Sequence, residues 1–293
     1  MWERDNVHTI GIDIGGTKVK YGLFAEDVLI KVGEMTTPPS EIVERLIREL
    51  RDFIGEKAIK GIGIASAGIV NARERKIKKA ANIQQIVNVS LGEMLEYEFK
   101  APVMLGNDAN CAALAEAKLG AAKGTDSSIC ITIGTGIGGG IIYKGNVVNG
   151  RNGYGGEVGH MVVVPNGTPC GCGRSGCWER YASGTAIQQM IDQNSVLTAK
   201  KYTPNNVFKH VNEDNECKNL MNQFVDSLGN GLVNLQYIFD PDVFVVGGGV
   251  TDSSEIWWNQ LTEKLSQANI SINVRQAHFQ NNASMIGASY LVK

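Results

Sequence analysis

The stretch HTIGIDIGGTKVKYGLF (His8–Phe24) predicts a strand, a tight glycine turn and a second strand. Apolar residues alternate with small or polar ones from Ile10 to Ile14 and again from Val19 to Leu23, which is the period of a pleated strand. The stretch SSICITIGTGIGGGIIYKGNVV (127–148) repeats this plan later in the chain. The repetition indicates that the chain contains a duplicated half.

Helical and strand patterns alternate in the segments that follow each hairpin. SEIVERLIRELRDFIGE (40–56) carries a helical apolar stripe, IKGIGIASAG (59–68) predicts a buried strand, and ANCAALAEAKLGAA (109–122) predicts an alanine-rich helix. Helices and a glycine-ended strand also follow the second hairpin. This order predicts an α/β fold with two lobes and a ligand bound in the cleft between them.

Composition and charge exclude several classes of function. The chain has 293 residues, enough for two domains, and its formal net charge of −2 offers no basic surface for nucleic acid. It contains no run of about 18 apolar residues, so we expect no membrane partner. MWERDNVHTIGID (1–13) lacks the apolar core of a signal peptide. We therefore expect a cytoplasmic protein, in a compartment that disfavours disulfides.

The glycine turns resemble two familiar phosphate-binding motifs, but neither match holds. GIDIGGTK (11–18) has the glycine spacing of a P-loop, whereas its Thr17-Lys18 order is reversed and a strand follows it. GTGIGG (134–139) has the dinucleotide-binding spacing but also runs into a strand. Two readings remain: plain hairpins, or cradles whose backbone N–H groups bind phosphate oxygens.

The presence of three glycine loops in a duplicated frame favours ligand binding. Asp13 lies two residues before the first loop, where its carboxylate can hold Mg²⁺ directly or through water. A third loop, Gly247–Gly249, follows a buried strand and leaves room for an adenine or a ribose. The predicted cofactor-binding residues are Asp13, Gly15, Gly16, Thr17, Lys18, Thr135, Gly136, Gly247 and Gly248.

Three of the six cysteines cluster in GEVGHMVVVPNGTPCGCGRSGCWE (156–179), together with a histidine. The spacing H-x9-C-x-C-x4-C supplies four ligands, the number that a closed tetrahedral zinc site needs. The alternatives are a disulfide, which the compartment disfavours, and core cysteines, which the glycine-rich polar surroundings disfavour. We interpret the cluster as a structural metal site formed by His160, Cys170, Cys172 and Cys177.

Six motifs together resemble those of the ROK family (repressors, open reading frames, kinases): DIGGTK, GNDANCAALAE, TIGTGIGGGII, GEVGH, CGCGRSGCWE and VVGGG. They follow the family's order over nearly the whole chain. The resemblance implies a two-lobed actin-like ATPase (ribonuclease H-like) fold, with ATP in the interlobe cleft and phosphoryl transfer to a sugar hydroxyl. We expect a first lobe at 1–118, rejoined by a C-terminal helix at about 281–293. The second lobe is expected at 119–280, with its zinc-binding loop at 156–179.

The resemblance also implies roles for individual residues. Asp108 would be the base that accepts the proton of the attacking hydroxyl, although its place before the alanine-rich helix also suits a helix cap. His160 would offer one ring nitrogen to zinc and the other to the sugar, so that zinc positions the loop without doing the chemistry. The predicted substrate-binding residues are Ser66, Asn82, Asn107, Asp108, Glu157, His160 and Glu179.

The resemblance to the ROK family implies a glucose-like hexose that is phosphorylated at its 6-hydroxyl. Glucose kinases of the family usually carry Pro-Gly where this chain has Ser66-Ala67-Gly68, and often a tryptophan near the position of Gln85. N-acetylmannosamine, N-acetylglucosamine, mannose, allose and fructose therefore remain alternatives. A site built to hydrogen-bond one set of hydroxyls rejects sugars that lack them.

Two other classes of function compete with a kinase. A sugar-responsive repressor would need a helix-turn-helix before the first glycine loop, and that loop begins at Gly15. An actin- or Hsp70-like switch has no need of the E-x-x-H and C-x-C-x4-C-x-E patterns. A sugar-sensing protein that has lost catalysis also remains possible on sequence. Sugar and ATP are the expected partners, and family members are often homodimers or homotetramers.

Overall fold

Two sheets of the same plan organise the chain. The computed structural model describes residues 8–80 and 83–293. Unit 1 comprises Met1–Gly120, Asn146–Gly155 and Asn282–Lys293, and unit 2 comprises Ala121–Gly145 and Gly156–Asn281. The segment Asn146–Gly155 therefore belongs to unit 1, whereas the expected boundaries placed it within 119–280.

The regular elements alternate along the chain. The strands are β1 (His8–Ile14), β2 (Lys18–Ala25), β3 (Val28–Thr36), β4 (Ile59–Ser66), β5 (Ile69–Asn71), β6 (Lys76–Lys79), β7 (Val103–Asn107), β8 (Ser127–Ile133), β9 (Ile137–Tyr143), β10 (Asn146–Val147), β11 (Val243–Gly247) and β12 (Val274–Gln276). The helices are α1 (Ile42–Ile54), α2 (Leu91–Phe99), α3 (Asp108–Lys118), α4 (Gly184–Asp192), α5 (Ser195–Ala199), α6 (Asn215–Phe239), α7 (Ser254–Ser266) and α8 (Ala283–Ser289).

The sheet of unit 1 has the strand order β3-β2-β1-β4-β7. The predicted hairpin β1–β2 is antiparallel, and β4 and β7 run parallel to β1. Ile14 pairs with Ser66, and Ser66 pairs with Asn107, so the carboxyl ends of β1, β4 and β7 are level. In sheets of this kind, ligands bind outside the carboxyl ends of the parallel strands.

The sheet of unit 2 repeats this plan. Strand β8 pairs antiparallel with β9 and parallel with β11, which in turn pairs parallel with β12. The hairpin β8–β9 thus corresponds to β1–β2, and β11 and β12 to β4 and β7. The predicted α/β fold with two lobes of the same plan is confirmed.

Each unit has its own apolar core. The strands of unit 1 bury isoleucines such as Ile12, Ile62 and Ile64 against α1. In unit 2 the long helix α6 supplies much of the core, including Phe224, which packs edge-on against Trp257. Among the described residues, no helix combines the length and the apolar character needed to cross a membrane.

Helix α8 lies backbone to backbone against the sheet of unit 1. A methyl group placed on Gly63 of β4 would overlap the carbonyl oxygen of Ala288, and one on Gly11 of β1 would overlap that of Met285. Gly287 faces helix α3 equally closely, since a methyl group there would overlap the carbonyl oxygen of Cys111. Glycines on both sides are therefore required for α8 to join α3 to the sheet.

We predict that Gly63→Ala destabilises the protein by about 3 kcal/mol or more, because its methyl group meets backbone that no side-chain rotation can move. Gly92→Ala is the matched control, since its added carbon would lie 3.3 Å from the Arg75 Cβ and 3.5 Å from the Leu105 Cδ1, and no closer than 3.7 Å to a backbone atom. The control should change the unfolding free energy by less than about 0.5 kcal/mol. Urea unfolding of both variants measures the difference, and equal free energies would contradict the packing argument.

Candidate functional site

The polar residues predicted for unit 1 gather at one edge of its sheet. Asp13 lies near the end of β1, Ser66 ends β4, Asn107 ends β7, and Asp108 opens α3. The parallel register brings them together, because the carboxyl ends of these strands are level. Ser66 is only 1% exposed, and its hydroxyl donates a weak bond to the carbonyl of Ala67 at 3.3 Å. Asn82 lies outside the described residues.

Helix α3 is capped by Asn107 and not by Asp108. The Asn107 Oδ1 accepts a bond from the backbone N–H of Asn110 at 3.1 Å. The Asn107 Nδ2 donates to the carbonyl oxygen of Gly68 at 3.0 Å. The cap role that the sequence left open therefore belongs to Asn107. The Asp108 carboxylate accepts a bond at 2.9 Å from the N–H of Ala109, and its two oxygens have further lone pairs for a ligand.

Both Asp13 and Asp108 are costly to ionise. Burial raises the pKa of Asp13 to about 7, the charge of Asp108 adds to the rise, and Lys20 opposes it. Burial also raises the pKa of Asp108, against the lowering effect of its bond from Ala109. Two neighbouring carboxylates in such a site can hold or accept a proton near neutral pH.

Hydrogen bonds from Thr37 stabilise the first glycine turn. The N–H of Gly15 donates to the carbonyl of Lys18 at 3.0 Å, and the Thr37 hydroxyl donates to the carbonyl of Gly15 at 2.7 Å. The N–H of Thr37 donates to the carbonyl of Thr17 at 2.9 Å. The Lys18 ammonium pairs at 2.6 Å with Glu34, and both side chains are about half exposed. Gly16 and Thr17 lie exposed at the tip of the turn.

Unit 2 contains a cavity of about 730 Å³ beside the second glycine turn. Thr135 lines it, and from the third turn Gly249 does so, one position after the predicted Gly247 and Gly248. Gly248 has φ +95° and packs against the backbone of Ile133, so its place is structural. Residues that the sequence analysis did not single out complete the lining: Gly184, Thr185, Gln188, Pro204, Asn205, Lys209, Val250, Asp252, Ser253, Glu255 and Ile256.

Helix α4 begins against the second glycine turn. The N–H of Gly184 donates to the carbonyl of Gly134 at 2.8 Å, and that of Thr185 donates to the carbonyl of Thr135 at 3.3 Å. Ser183 caps the helix by accepting from the N–H of Ala186. The first turn of α4 therefore borders the cavity, together with the side chain of Lys209. A cavity of this size can hold a nucleotide-sized molecule.

The predicted metal ligands converge in unit 2. One ligand atom from each of His160, Cys170, Cys172 and Cys177 lies within 4.8 Å of all the others. The Sγ atoms of Cys172 and Cys177 are 3.5 Å apart, and the Cys170 Sγ is 3.6 Å from the His160 Nδ1. Tetrahedral zinc with bonds of about 2.3 Å to sulfur would separate its ligands by about the same distances. The donor set and its spacing therefore fit a zinc ion.

Two glutamates flank this cluster. The His160 Nδ1 faces the cysteines, whereas the His160 Nε2 is 3.9 Å from the Glu157 carboxylate. The Glu179 Oε1 is 3.0 Å from the Cys170 Sγ, which donates to it, and 3.6 Å from the His160 Nδ1. The cluster thus brings together Glu157, His160 and Glu179, as the sequence predicted for one ligand pocket.

The thiols differ in their acidity. Burial is the main cause that raises the pKa of Cys170 to about 12, and burial also raises the pKa of Cys177. The backbone N–H of Arg174 lowers the pKa of the exposed Cys172. A bound divalent cation supplies the positive charge that favours the thiolate form of all three.

Comparison with known proteins identifies the family. The sequence profile of the ROK family matches residues 9–293. The chain belongs to the ROK family. A glucokinase of Streptomyces coelicolor is 33% identical over 309 aligned positions, covering 97% of each chain. An N-acetylmannosamine kinase of Vibrio cholerae is 29% identical, covering 98% of this chain and all of its own length.

Solved ROK structures have the same fold. The ROK hexokinase from Thermus thermophilus superposes with a TM-score of 0.86 at 33% identity, covering 97% of this chain and 98% of its own. The ROK glucokinase from Streptomyces griseus, solved with glucose and AMPPNP, gives a TM-score of 0.81 at 32% identity, with the same coverage. The resemblance drawn from the sequence motifs is confirmed, as is the actin-like ATPase fold it implied.

The raised pKa of Asp13 predicts how the stability of this ROK protein depends on pH. An unfolded chain would lose this proton near the ordinary value of 3.8, whereas the folded chain keeps it until about pH 7. The stabilisation is therefore complete below about pH 4 and is lost as the pH rises through 7.

We expect Asp13→Asn to be more stable than the wild type by up to about 3 kcal/mol at pH 8, with the gap closing toward pH 4. Asp52→Asn, at an exposed position on α1, controls for the loss of one carboxylate. Urea unfolding between pH 4.5 and 8.5 measures the gap. If the wild type and Asp13→Asn follow parallel pH profiles, the assigned pKa is wrong.

Proposed function

We propose that this protein is an ATP-dependent sugar kinase that transfers the γ-phosphoryl group of Mg-ATP to a hexose hydroxyl. Membership of the ROK family over nearly the whole chain, with glucokinase and hexokinase relatives, supports this reaction class. The observation that carries the proposal is the state of Asp108. Asn107 caps α3 in its place, and burial raises the pKa of Asp108, so its carboxylate is available to accept a proton.

Asp108 is the proposed general base. It accepts the proton of the attacking hydroxyl while the hydroxyl oxygen bonds to the γ-phosphorus, and the bond from that phosphorus to the bridging oxygen of ADP breaks. Asn107 is held by Gly68 and Asn110, and we propose that its amide orients a neighbouring sugar hydroxyl. Ser66 and Asn82 remain predicted contributors to this part of the sugar site.

Asp13 is the proposed residue for Mg²⁺, directly or through water. A bound Mg²⁺ neutralises charge on the phosphate oxygens during transfer. Because burial and Asp108 keep Asp13 protonated up to about pH 7, cation binding would displace its proton. The exposed turn of Gly15, Gly16, Thr17 and Lys18 is the proposed phosphate contact on unit 1.

The nucleotide is proposed to occupy the cavity of unit 2. Thr135 lies on its wall, the first turn of α4 borders it, and Lys209 supplies a positive charge. The first N–H groups of α4 are bonded to Gly134, Thr135 and Ser183, so this helix N-terminus offers phosphate oxygens its favourable dipole. Gly136, Gly247 and Gly248 lie in the second and third glycine turns, behind the residues that line the cavity. Gly249, in the third turn, lines the cavity itself.

Glu157, His160 and Glu179 are the proposed sugar-binding residues of unit 2. His160 turns its Nδ1 to the cysteines, which leaves the Nε2 beside Glu157 for a sugar hydroxyl. A zinc ion bound by His160 and the three cysteines would fix the tautomer and orientation of the imidazole. The metal is therefore proposed to be structural, and the phosphoryl step does not pass through it.

A glucose-like hexose phosphorylated at the 6-hydroxyl is the proposed substrate. The glucokinase relatives support glucose, while the Vibrio cholerae relative supports N-acetylmannosamine as the second candidate. Ser66-Ala67-Gly68 differs from the usual glucose-kinase sequence and keeps the second candidate open. A sensor without catalysis is the least supported alternative, because a sensor has no need of a carboxylate held like Asp108.

We expect ADP release from Mg-ATP with one sugar well above the others in kcat/KM. The panel is glucose, N-acetylmannosamine, N-acetylglucosamine, mannose, allose and fructose, and a coupled assay measures ADP. A hydroxyl-recognition pocket separates such sugars by factors of about a hundred or more. Turnover of none of the six, with ATP still bound, would contradict the proposed hexose kinase.

Asp108→Asn should lower kcat by a factor of about 100 to 10,000, because it removes the proton acceptor while keeping the shape of the side chain. ATP affinity, measured by calorimetry, should stay within about threefold of the wild type if Asp108 acts only on the hydroxyl. Near-normal turnover in this variant would remove Asp108 from the role of base.

A further inference from the structure

Trp178 stands between two functional residues and is fully buried. Its neighbours in sequence are Cys177, a predicted metal ligand, and Glu179, a proposed sugar-binding residue. The three residues Trp178–Arg180 form a single turn of 3-10 helix, and the indole is 0% exposed. The indole Nε1 donates to the carbonyl oxygen of Ser227 on α6 at 2.8 Å. The loop is therefore fastened to α6 at the point where both functional residues attach.

The ring fits against α6 only because residue 231 is glycine. A methyl group on Gly231 would overlap three atoms of the indole, its Cε2, Cζ2 and Nε1. Glycine in the interior of a helix is destabilising relative to alanine, so its presence there requires a reason. The close approach of the Trp178 ring supplies that reason.

A second glycine of the same helix provides a contrast. A methyl group on Gly229 would meet the side chain of Lys264, with the Cδ at 2.8 Å and the Cε at 3.0 Å. Those atoms belong to the flexible stem of a lysine on α7, which can move aside. The two positions are therefore matched in helix, burial and residue type, and they differ in what they touch.

The Trp178 backbone also connects this turn to residues 161 and 162 of the same loop. Its N–H donates to the carbonyl of Met161 at 2.8 Å, and Cys177 forms an antiparallel bridge with Val162. Glu179 is confined as well, because a methyl group on Gly136 would lie 2.5 Å from its Oε2. A shift of the indole would therefore move a metal ligand and a sugar-binding carboxylate together.

We propose that the Trp178 ring seated on Gly231 is an anchor that positions Cys177 and Glu179. Neither anchor residue touches the metal or the sugar. The anchor couples the affinity of the metal site to the affinity of the sugar site through one rigid turn. The sugar half of this inference rests on the proposed function, whereas the metal half does not.

The test compares Gly231→Ala with Gly229→Ala in the full chain. Metal is stripped with a chelator, and Co²⁺ is titrated back while its thiolate absorption bands are followed. Displacing a group that supports a metal ligand typically weakens metal binding by about 10- to 100-fold, so we expect a loss of that size in Gly231→Ala. Gly229→Ala should match the wild type.

The kinetic arm measures KM for the best sugar of the panel and KM for ATP. Misplacing Glu179 by a fraction of an ångström should raise the sugar KM about tenfold in Gly231→Ala, with the ATP KM within about twofold. Gly229→Ala again serves as the control. Equal rises in both KM values would indicate a general loss of structure and would overturn the anchor.

The double variant Gly231→Ala with Trp178→Phe tests the cause. Phenylalanine lacks the larger fused ring system of the indole, which the new methyl group would strike, so the double variant should bind Co²⁺ about as tightly as Trp178→Phe alone. A further loss in the double variant, relative to Trp178→Phe, as large as the loss that Gly231→Ala causes in the wild type would overturn the inference. So would Co²⁺ binding by Gly231→Ala equal to that of Gly229→Ala.

Two further cases are also decided by the Co²⁺ titration. If the wild type phosphorylates no sugar, the proposed function fails while the titration still decides the anchor. If Gly231→Ala does not fold, Trp178→Phe alone must weaken Co²⁺ binding through loss of the Ser227 bond, and unchanged binding would refute the anchor.

Discussion

Helix α8 packs against the sheet of unit 1 with no side chains between their backbones at two points. Gly11 and Gly63 allow this approach from the sheet, and Gly287 allows the same approach from α8 to α3. Interiors of such density tolerate no added carbon where backbone meets backbone. Because α3 begins with Asp108, this contact fixes where that carboxylate stands relative to the end of β1. At this junction burial raises the pKa of Asp13 and of Asp108.

In unit 2 the proposed metal and sugar ligands lie on the loop Gly156–Glu179. This stretch contains little regular structure, and its backbone is held by turn and bridge hydrogen bonds in place of a sheet or a long helix. The Trp178 indole on α6 supplies one fixed point, and the four convergent ligand atoms of His160 and the cysteines supply another. A metal ion bound there would add several strong bonds in a small volume, which is how short irregular loops are commonly stabilised.

The residues proposed to act in the two units therefore lie on different kinds of element, regular secondary structure in unit 1 and a loop in unit 2. In unit 1 the proposed base, Asp108, lies at a strand–helix junction whose position the sheet determines. In unit 2 the residues proposed to bind the sugar lie on a loop, for which we propose the Trp178 anchor and a metal ion as supports. Regular elements hold a group more precisely than loops do, so this division suits a base that must meet one hydroxyl.

Much of this could be predicted from the sequence, because strand alternation and glycine placement are local properties. The two hairpins, the alternating helices and strands, and the ligand set His160, Cys170, Cys172 and Cys177 follow from short patterns whose physical causes lie within a few residues. The family resemblance came from the same short patterns. Asp108 also stood out, but sequence could not decide between a cap and a base, since Asn107 next to it caps equally well.

Tertiary structure decided what depends on neighbours distant in sequence. The Asn107 side chain that caps α3 is also held by the carbonyl of Gly68. Burial raises the pKa of Asp13, and Asp108, which lies far along the chain, adds to the rise. The cavity lining of unit 2 and the seat of Trp178 on Gly231 arise where separate helices meet. Periodicity reports which face of an element is apolar, not which partner will cover it. The sequence by itself therefore determined the elements and the reactive side chains, and only packing decided their protonation and their supports.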